Sequence, residues 1–464
     1  MAGDVSTKHP DWMDRADEWQ LMRRATRGEK AIKEAGTNYL LMPSGFATKK
    51  DKGAELYKHY IGRAQFPDIV SPTIDGMVGV IHRNESQIDM PDAMEPLFES
   101  ATADGMPLEA LHKQITRELL ETGRFALLAD APTGGERIPY LAGYTAESLI
   151  NWSEAGDFFV LDECGLVRDG FAWNEQKKYR ILELVNGKYQ VTVWENGVAG
   201  AATNPTAVGS KPLTAIPFAV AGPRNVAIRP EGPPLLGVGR SSIAIYQLSA
   251  DYRWQLYNTG QDTLFIINGD APEVVGAGVV VELKGGTDNS PPDAKMVGPT
   301  GRGTADHRIA MQDERAAAIA SGARLFDNQS KTAESGDALR LRFTAQTATL
   351  QTIAQASAAL LEKGLRNIAV MMGLDPELVT VKAPKRLVDS ALTPQDAVQL
   401  VTLWQDGAIS YPTLYENLQR GEIASEERNA DEERDLIDQE DIEHPPPTPE
   451  ETGILPTNVL PAAA

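Results

Sequence analysis

Residues 314–343, ERAAAIASGARLFDNQSKTAESGDALRLRF, hold an alanine-rich helix, a break, and the start of a second helix. The break, Asp327-Asn328-Gln329-Ser330-Lys331, is wholly polar, although apolar-patterned helix lies on both sides of it. The first helix is expected over 304–322. The second carries Leu339, Phe343, Leu350, Ile353, Leu361, Leu365, Ile368 and Met372 on one stripe before Pro376. That spacing predicts a single helix over 334–372, roughly 55–60 Å long at 1.5 Å per residue and several times the usual length. Any fold for this chain has to place a short wet loop between two long helices.

Upstream of 304–322, residues 264–300 switch to strand and turn: LFIING, GAGVVVELKGG, then DNSPPDAKMVGP. Before that module, SSIAIYQLSADYRWQLYNTGQD (241–262) puts Ile245, Leu248, Tyr252 and Leu256 on one helical stripe. Two helices therefore bracket a small β module. Further back, residues 138–220 are short β-rich runs separated by Gly, Asn and Asp turns, with an Asn186-Gly187 hairpin signal in VNGKY. They read as a mostly antiparallel region ending in the Pro/Gly-rich AIPFAVAGPRNVAIRPEGPPLLG. Residues 1 to about 60 are helical by pattern, with Trp12, Trp19, Leu21 and Met22 on a shared face, and 57–80 is helical with two proline interruptions. In PLEALHKQITRELLET (107–122), Leu108, Leu111, Ile115 and Leu119 form an amphipathic face; Gly123 closes the helix and RFALLAD follows as a buried strand.

Downstream, 393–423 reads as two shorter helices hinged at Asp406-Gly407, with Pro394 and Pro412 at their starts. From Glu422 to Glu443 eleven acidic residues face two arginines, a run read either as a wall lining or as a solvated tail. Residues 444–464, HPPPTPEETGILPTNVLPAAA, are expected to be disordered. No internal repeat is present.

Composition narrows the class. The apolar share of 42% and charged share of 23% over 464 residues suit a globular protein of two or three domains. The single cysteine, Cys164, excludes an internal disulfide framework and reads as a buried thiol. The opening MAGDVSTKHPDWMDRADEW lacks the apolar core of a secretory signal, and no stretch reaches a membrane span. A soluble protein made in a reducing cytoplasm is expected. The net charge of −21 argues against a surface that grips phosphates, though it suits one that must let nucleic acid pass without sticking.

Catalytic signatures are missing. There is no GxxxxGK[ST] loop, GxSxG elbow or HExxH, and Gly187-Lys188 lies in the hairpin. Gly237-Val238-Gly239 and Gly276-Ala277-Gly278 lack the third glycine of a dinucleotide fingerprint and read as turns. His9, His59, His82, His112, His307 and His444 are scattered, with no pair at ligand spacing. No enzyme, cofactor or metal is expected. The alternative from this side is a metal-dependent hydrolase with a dispersed carboxylate site.

In segment order the chain resembles the portal proteins of tailed bacteriophages; the alternative within that setting is another head-completion or adaptor virion protein, although adaptors are usually much shorter. The resemblance is carried by YKHYIGRAQFPDIVSPTIDGMVGVIHRNE (57–85), ELLETGRFALLADAP (118–132), PYLAGYTAESLINW (139–152), GPTGRGTADHRIAMQDERAAAIASGARLF (298–326) and ESGDALRLRFTAQTATLQTIAQASAALLEKGLRNIAVMMG (334–373), and it extends to about residue 425. It implies an α+β portal fold: wing 1–235 (N-terminal helices and β-rich region), first stem helix 236–263, β-containing clip 264–303, second stem helix 304–322, tunnel loop 323–333, long wing helix and return segment 334–390, crown and acidic segment 391–443, and tail 444–464.

The same resemblance implies a homo-oligomeric ring, usually of twelve copies, at one capsid vertex of the virion. Such a ring conducts double-stranded DNA without sequence specificity in packaging and ejection, and can nucleate capsid assembly. Its partners would be the terminase large subunit, a neck or adaptor protein, and the major capsid protein and scaffold, met first in the host bacterial cytoplasm; no membrane is involved. Arg324, Asp327, Asn328, Gln329, Ser330 and Lys331 would face the channel, unless the loop is an ordinary solvent-exposed connection. Ile245, Leu248, Tyr252, Leu256, Ala316 and Ala320 would pack the stem, either between neighbours or within one subunit. Glu273, Val279, Val281, Lys284 and Lys295 would form the clip docking surface. Twelve copies would carry roughly −250 in charge, so the bore would repel phosphates and hold water and counterions between wall and DNA.

Overall fold

Pro10 marks where the first helix starts. It sits in the first turn of α1 (Pro10–Arg27), His9 Nδ1 accepts the Asp11 amide at 3.1 Å, and Asp11 at one end and Arg24 and Arg27 at the other complement the helix dipole. The computed structural model describes residues 4–131, 138–259, 263–270, 282–283, 285–287, 290–297, 303–322, 336–384, 394–420, 423–425 and 428–443. It divides into a unit spanning Met1–Lys385 and a second spanning Arg386–Ala464.

In the first unit, α1 buries Trp19 and Met22 completely, and α2 (Glu29–Glu34), α3 (Ala54–Arg63), α4 (Val70–Ile81) and α5 (Leu108–Glu121) follow. Pro67 lies between α3 and α4, which separates what periodicity alone runs together. Leu108, Leu111, Ile115 and Leu119 of α5 are all buried, each stabilising the fold by about 1.5–3 kcal/mol. Thr122 caps α5, and Gly123 turns the chain at φ +72°. A Cβ on Gly123 would stand 2.9 Å from the Gly232 carbonyl oxygen, so the position needs glycine twice over.

That turn delivers β2 (Phe125–Asp130), buried from Phe125 to Ala129, into the middle of a three-stranded antiparallel sheet between β13 (Phe218–Ala221) and β3 (Tyr140–Thr145). A second antiparallel sheet runs in the order β10-β9-β8-β5-β4, built from β4 (Leu149–Trp152), β5 (Phe158–Asp162), β8 (Lys178–Val185), β9 (Lys188–Glu195) and β10 (Val198–Ala199). Asn186 and Gly187 join β8 to β9 with φ +52° and +72°, the type I′ geometry that matches strand twist. A separate exposed hairpin, β6 (Gly165–Asp169) with β7 (Ala172–Gln176), lies between β5 and β8. Cys164 precedes it and is exposed, its Sγ accepting the Lys178 amide at 3.3 Å. The expected buried thiol is thus corrected: the chain leaves the β5 sheet at this residue.

A long helix, α8 (Gly336–Met372), covers the three-stranded sheet and α5. Leu350, Ile353, Leu361, Leu365 and Ile368 are buried, and a Cβ on Gly364 would approach Leu127 and Leu141 to 3.0 and 3.1 Å. The helix ends in a Schellman turn, with Gly373 at φ +71° and the Leu374 amide donating to the Ala369 carbonyl at 2.8 Å. The return strand β16 (Thr380–Lys382) then pairs with β1 (Gln87–Asp89), and Glu362 accepts the Val381 amide at 2.9 Å. Mixed helix and antiparallel sheet make the chain α+β.

The second unit holds α9 (Pro394–Gln405), α10 (Tyr411–Arg420) and α11 (Ala430–Glu443). Gly407 turns at φ +74° between the first two. Within the acidic run, 430–443 is helix. Asn429 Oδ1 accepts the Asp431 and Glu432 amides at 3.0 and 2.9 Å while Glu432 accepts the Asn429 amide at 3.0 Å, a reciprocal cap. Asp431, Glu432 and Glu433 sit where the helix dipole favours negative charge, so acid density at this end promotes helix. The 444–464 tail lies outside the described residues.

Candidate interface: the paired helices and their flanks

α6 (Leu236–Thr259) follows Pro233-Pro234, and its first turns are wedged into the body. A Cβ on Gly239 would meet Met22 Sδ at 2.7 Å and a Leu21 methyl at 2.8 Å, and one on Gly237 would meet the Ser321 side chain at 3.0 Å. Gly237-Val238-Gly239 is therefore helix, not a turn: the two glycines let helices approach closely. Val238, Tyr246 and Ala250 are fully buried. Beyond them Tyr60 donates to the Asp251 carboxylate, and Trp254 completes an aromatic cluster with Phe46 at 5.2 Å and Tyr60 at 6.0 Å. The last turn emerges into solvent, with Leu256 41% and Tyr257 60% exposed.

An antiparallel pair, β14 (Thr263–Ile267) and β15 (Asp293–Val297), lies between α6 and α7 (Thr304–Ala320) in sequence. Gly303 opens α7 at φ +90°, and α7 packs along α6. Among its described residues only Ala318 is buried. Asp306, Ile309, Asp313, Ala316 and Ala320, spaced three and four apart, form an open stripe on which Ile309 is 55% exposed.

The expected stem residues thus divide. Ile245 is buried within its own subunit, where it lines a cavity of about 270 Å³ with Ile69, Arg308 and Met311. Leu248 and Tyr252 are half-buried, whereas Leu256, Ala316 and Ala320 face outward. Of the clip residues, Lys295 is exposed on β15 and pairs with Asp293 at 3.6 Å; Glu273, Val279, Val281 and Lys284 lie outside the described residues. Arg324, Asp327, Asn328, Gln329, Ser330 and Lys331 lie outside them as well. Their flanks are described: α7 ends at Ala320, and α8 begins at Gly336.

Charged clusters near this pair escaped the sequence reading. Arg23 of α1 reaches Glu118 at 2.5 Å, Glu121 at 3.0 Å and Glu147 at 2.8 Å. Burial opposes the Arg23 charge, but the Glu147 and Glu118 hydrogen bonds outweigh it and raise its pKa. Burial pushes Glu118 up, while Arg23 overcomes burial at Glu147 and holds it down. His82 Nε2 lies 2.8 Å from Thr116 Oγ1, which meets Ser357 Oγ of α8 at 2.8 Å, and His112 stands edge-on to His82 at 4.7 Å. Both imidazoles are kept neutral, His82 down to about 4 by burial and then Lys113, His112 down to about 3 by burial and then His82. Partners dozens to hundreds of residues apart leave no local spacing signal. Among the described residues no group of His, Cys, Asp and Glu could hold a metal ion. No described helix is long and apolar enough to cross a membrane.

Residues 234–372, which contain α6, the β14–β15 pair, α7 and α8, match a family model described as a domain of unknown function, DUF4055. No curated protein matches the chain. Among solved structures, one chain of "Neck of empty GTA particle computed with C6 symmetry" is similar at 13% identity and a TM-score of 0.40, over 81% of this chain and 94% of that one. At that score the two chain paths diverge too far for function to follow from the likeness.

Proposed function

We propose that this chain is a portal-type subunit of a phage-like particle. Copies of it, twelve in the reading that the segment order supports, close into a ring at one capsid vertex and conduct double-stranded DNA. The observation that carries the reading is the chain path. Two helices, α6 and α7, pack side by side with a strand pair between them in sequence, and after α7 the chain runs through 323–335, whose residues 327–331 are wholly polar, into a 37-residue helix seated on the sheet. In this reading α6 and α7 are the stem, β14–β15 belongs to the clip that docks the terminase and later a neck protein, and 323–333 faces the channel.

The mechanism is passive. Lys and Arg that neutralise phosphates gain affinity by releasing counterions, and a conduit for long duplex must avoid accumulating that gain. A net charge of −21 per copy keeps water and ions between wall and DNA, while a separate motor does the work. The chain has no catalytic step of its own. Negative-stain electron microscopy of the purified protein tests the reading: annular particles with a central hole are expected, and compact solitary particles at every concentration would end it. A turnover screen with divalent metals addresses the hydrolase alternative and is expected to be silent.

A further inference from the structure

A cleft of about 520 Å³ lies where α2, the end of α3 and the outer turns of α6 meet, and its charge runs against that of the chain. Lys33 is neutralised there by Glu29 at 2.7 Å. Two guanidiniums remain. Arg63 donates to the His59 carbonyl at 3.1 Å and lies 3.8 Å over the Tyr257 ring, and Arg253 donates to the Gln65 side-chain oxygen. Neither is in a close ion pair with a carboxylate among the described residues, although Glu29 across the cleft also feels the Arg253 charge. With Glu29 as its one carboxylate against Lys33, Arg63 and Arg253, the cleft keeps a positive excess on arginines oriented by a ring face and a neutral amide, which is the condition of an anion site. Leu256 and Tyr257 add an exposed apolar floor.

The chain itself supplies the complement. The open stripe of α7 carries Asp306 and Asp313 about 10 Å apart along the axis, two turns of helix, with exposed Ile309 between them and alanines beyond. Its first two turns are acidic at Asp306 and Asp313 and apolar at Ile309 between them, where the cleft is basic with an apolar floor. None of the residues lining the cleft comes from α7, so the two surfaces are different patches of one subunit. Patches that match each other on one molecule make a heterologous contact, which closes into a ring when its rotation divides the circle.

We infer that Asp306 and Asp313 of one copy pair with Arg63 and Arg253 of the next copy, with Ile309 seated on Leu256 and Tyr257. This rests on the ring reading and names the contact that closes the ring. The exposed alanines let the helices approach. The two ion pairs fix register and direction, the use to which charge at an interface is best suited.

Mass photometry of the full-length protein over a concentration series tests the contact. The variant R63E/R253E, with an unchanged far-ultraviolet circular dichroism spectrum and melting midpoint, is expected to raise the midpoint concentration for assembly by about a hundredfold or more. D306R/D313R is expected to do the same, and the four-fold variant carrying both reversals is expected to recover rings. Rings that survive both reversals unchanged would overturn the contact and leave the ring reading standing. A wild type that stays monomeric throughout would overturn both. A salt-sensitive affinity of the wild type for a short DNA duplex, lost in R63E/R253E and kept in D306R/D313R, would assign the cleft to nucleic acid and overturn the contact.

Discussion

Acidification should loosen the junction of α4, α5 and α8 through the His82–His112 pair, and the loss can be worked out. The unfolded chain titrates each histidine near 6.5. The folded chain binds the proton only near pH 4 at His82 and near pH 3 at His112. Between those values and 6.5 the unfolded state holds more protons, so stability is full above about 6.5 and falls as pH drops through the window. At pH 5 each imidazole costs about 2 kcal/mol, about 4 kcal/mol for the pair. Glu118, raised by burial, works in the opposite sense, because it takes up a proton more readily when folded. Comparison of wild type with His82→Gln/His112→Leu removes that contribution. The glutamine keeps a donor for Thr116, and the leucine fills the space of a ring whose Nε2 has no partner. Urea titrations at about pH 7.5 and about pH 5, with both proteins in the same assembly state, should show the wild type losing about 4 kcal/mol more than the variant. Equal losses would refute the assignment of the slope to this pair.

Four further outcomes follow from other sites. Arg23→Met leaves Glu118, Glu121 and Glu147 facing one another without a cation, and should destabilise the first unit by about 3–5 kcal/mol in chemical denaturation, with partial rescue by Glu118→Gln. Gly123→Ala forces a left-handed residue and a 2.9 Å approach to the Gly232 carbonyl, costing about 2 kcal/mol or more, read as a lowered melting midpoint. Leu361→Ala, at a fully buried position of α8, should cost about 2–5 kcal/mol, whereas Leu256→Ala, exposed on α6, should leave subunit stability unchanged and weaken assembly in mass photometry.

Helices and hairpins were legible because their causes are local. The stripe from Leu350 to Ile368, the Gly123 stop and the Asn186-Gly187 turn each depend on residues within one element. Gly237-Val238-Gly239 was misread because its use is tertiary: Gly239 is small for the sake of Met22 and Leu21, more than 200 residues away. Cys164 was misread because burial of a lone thiol is a statistical habit, while its exposure follows from where one hairpin leaves a sheet. The acidic stretch was read by charge alone, although Asn429 with Glu432 three residues on is a cap signal open to reading. Nothing local in Arg63 or Arg253 announces a cleft; only the packing of α3 against α6 brings them together.

The anchoring of the two long helices bears on what the segment between them can do. Gly322, at the end of α7, comes against Leu235 and Met77, with a Cβ on it meeting a Leu235 methyl at 3.0 Å. From Leu350 onward α8 is buried against α5 and the three-stranded sheet, and Glu362 and Arg366 tie it to the return strand through the Val381 amide at 2.9 Å and the Val379 carbonyl at 3.1 Å. Between these anchors, Met77, Leu120, Leu235, Ser321, Leu350 and Ile353 line a cavity of about 250 Å³, mostly apolar, at the root of the polar segment. A void of that size leaves its lining short of contacts, so the root is loosely packed. Ser321→Leu, which fills it, should stabilise the subunit or leave it unchanged while stiffening the root, seen as slower amide exchange at the end of α7; unchanged exchange there would place the compliance elsewhere.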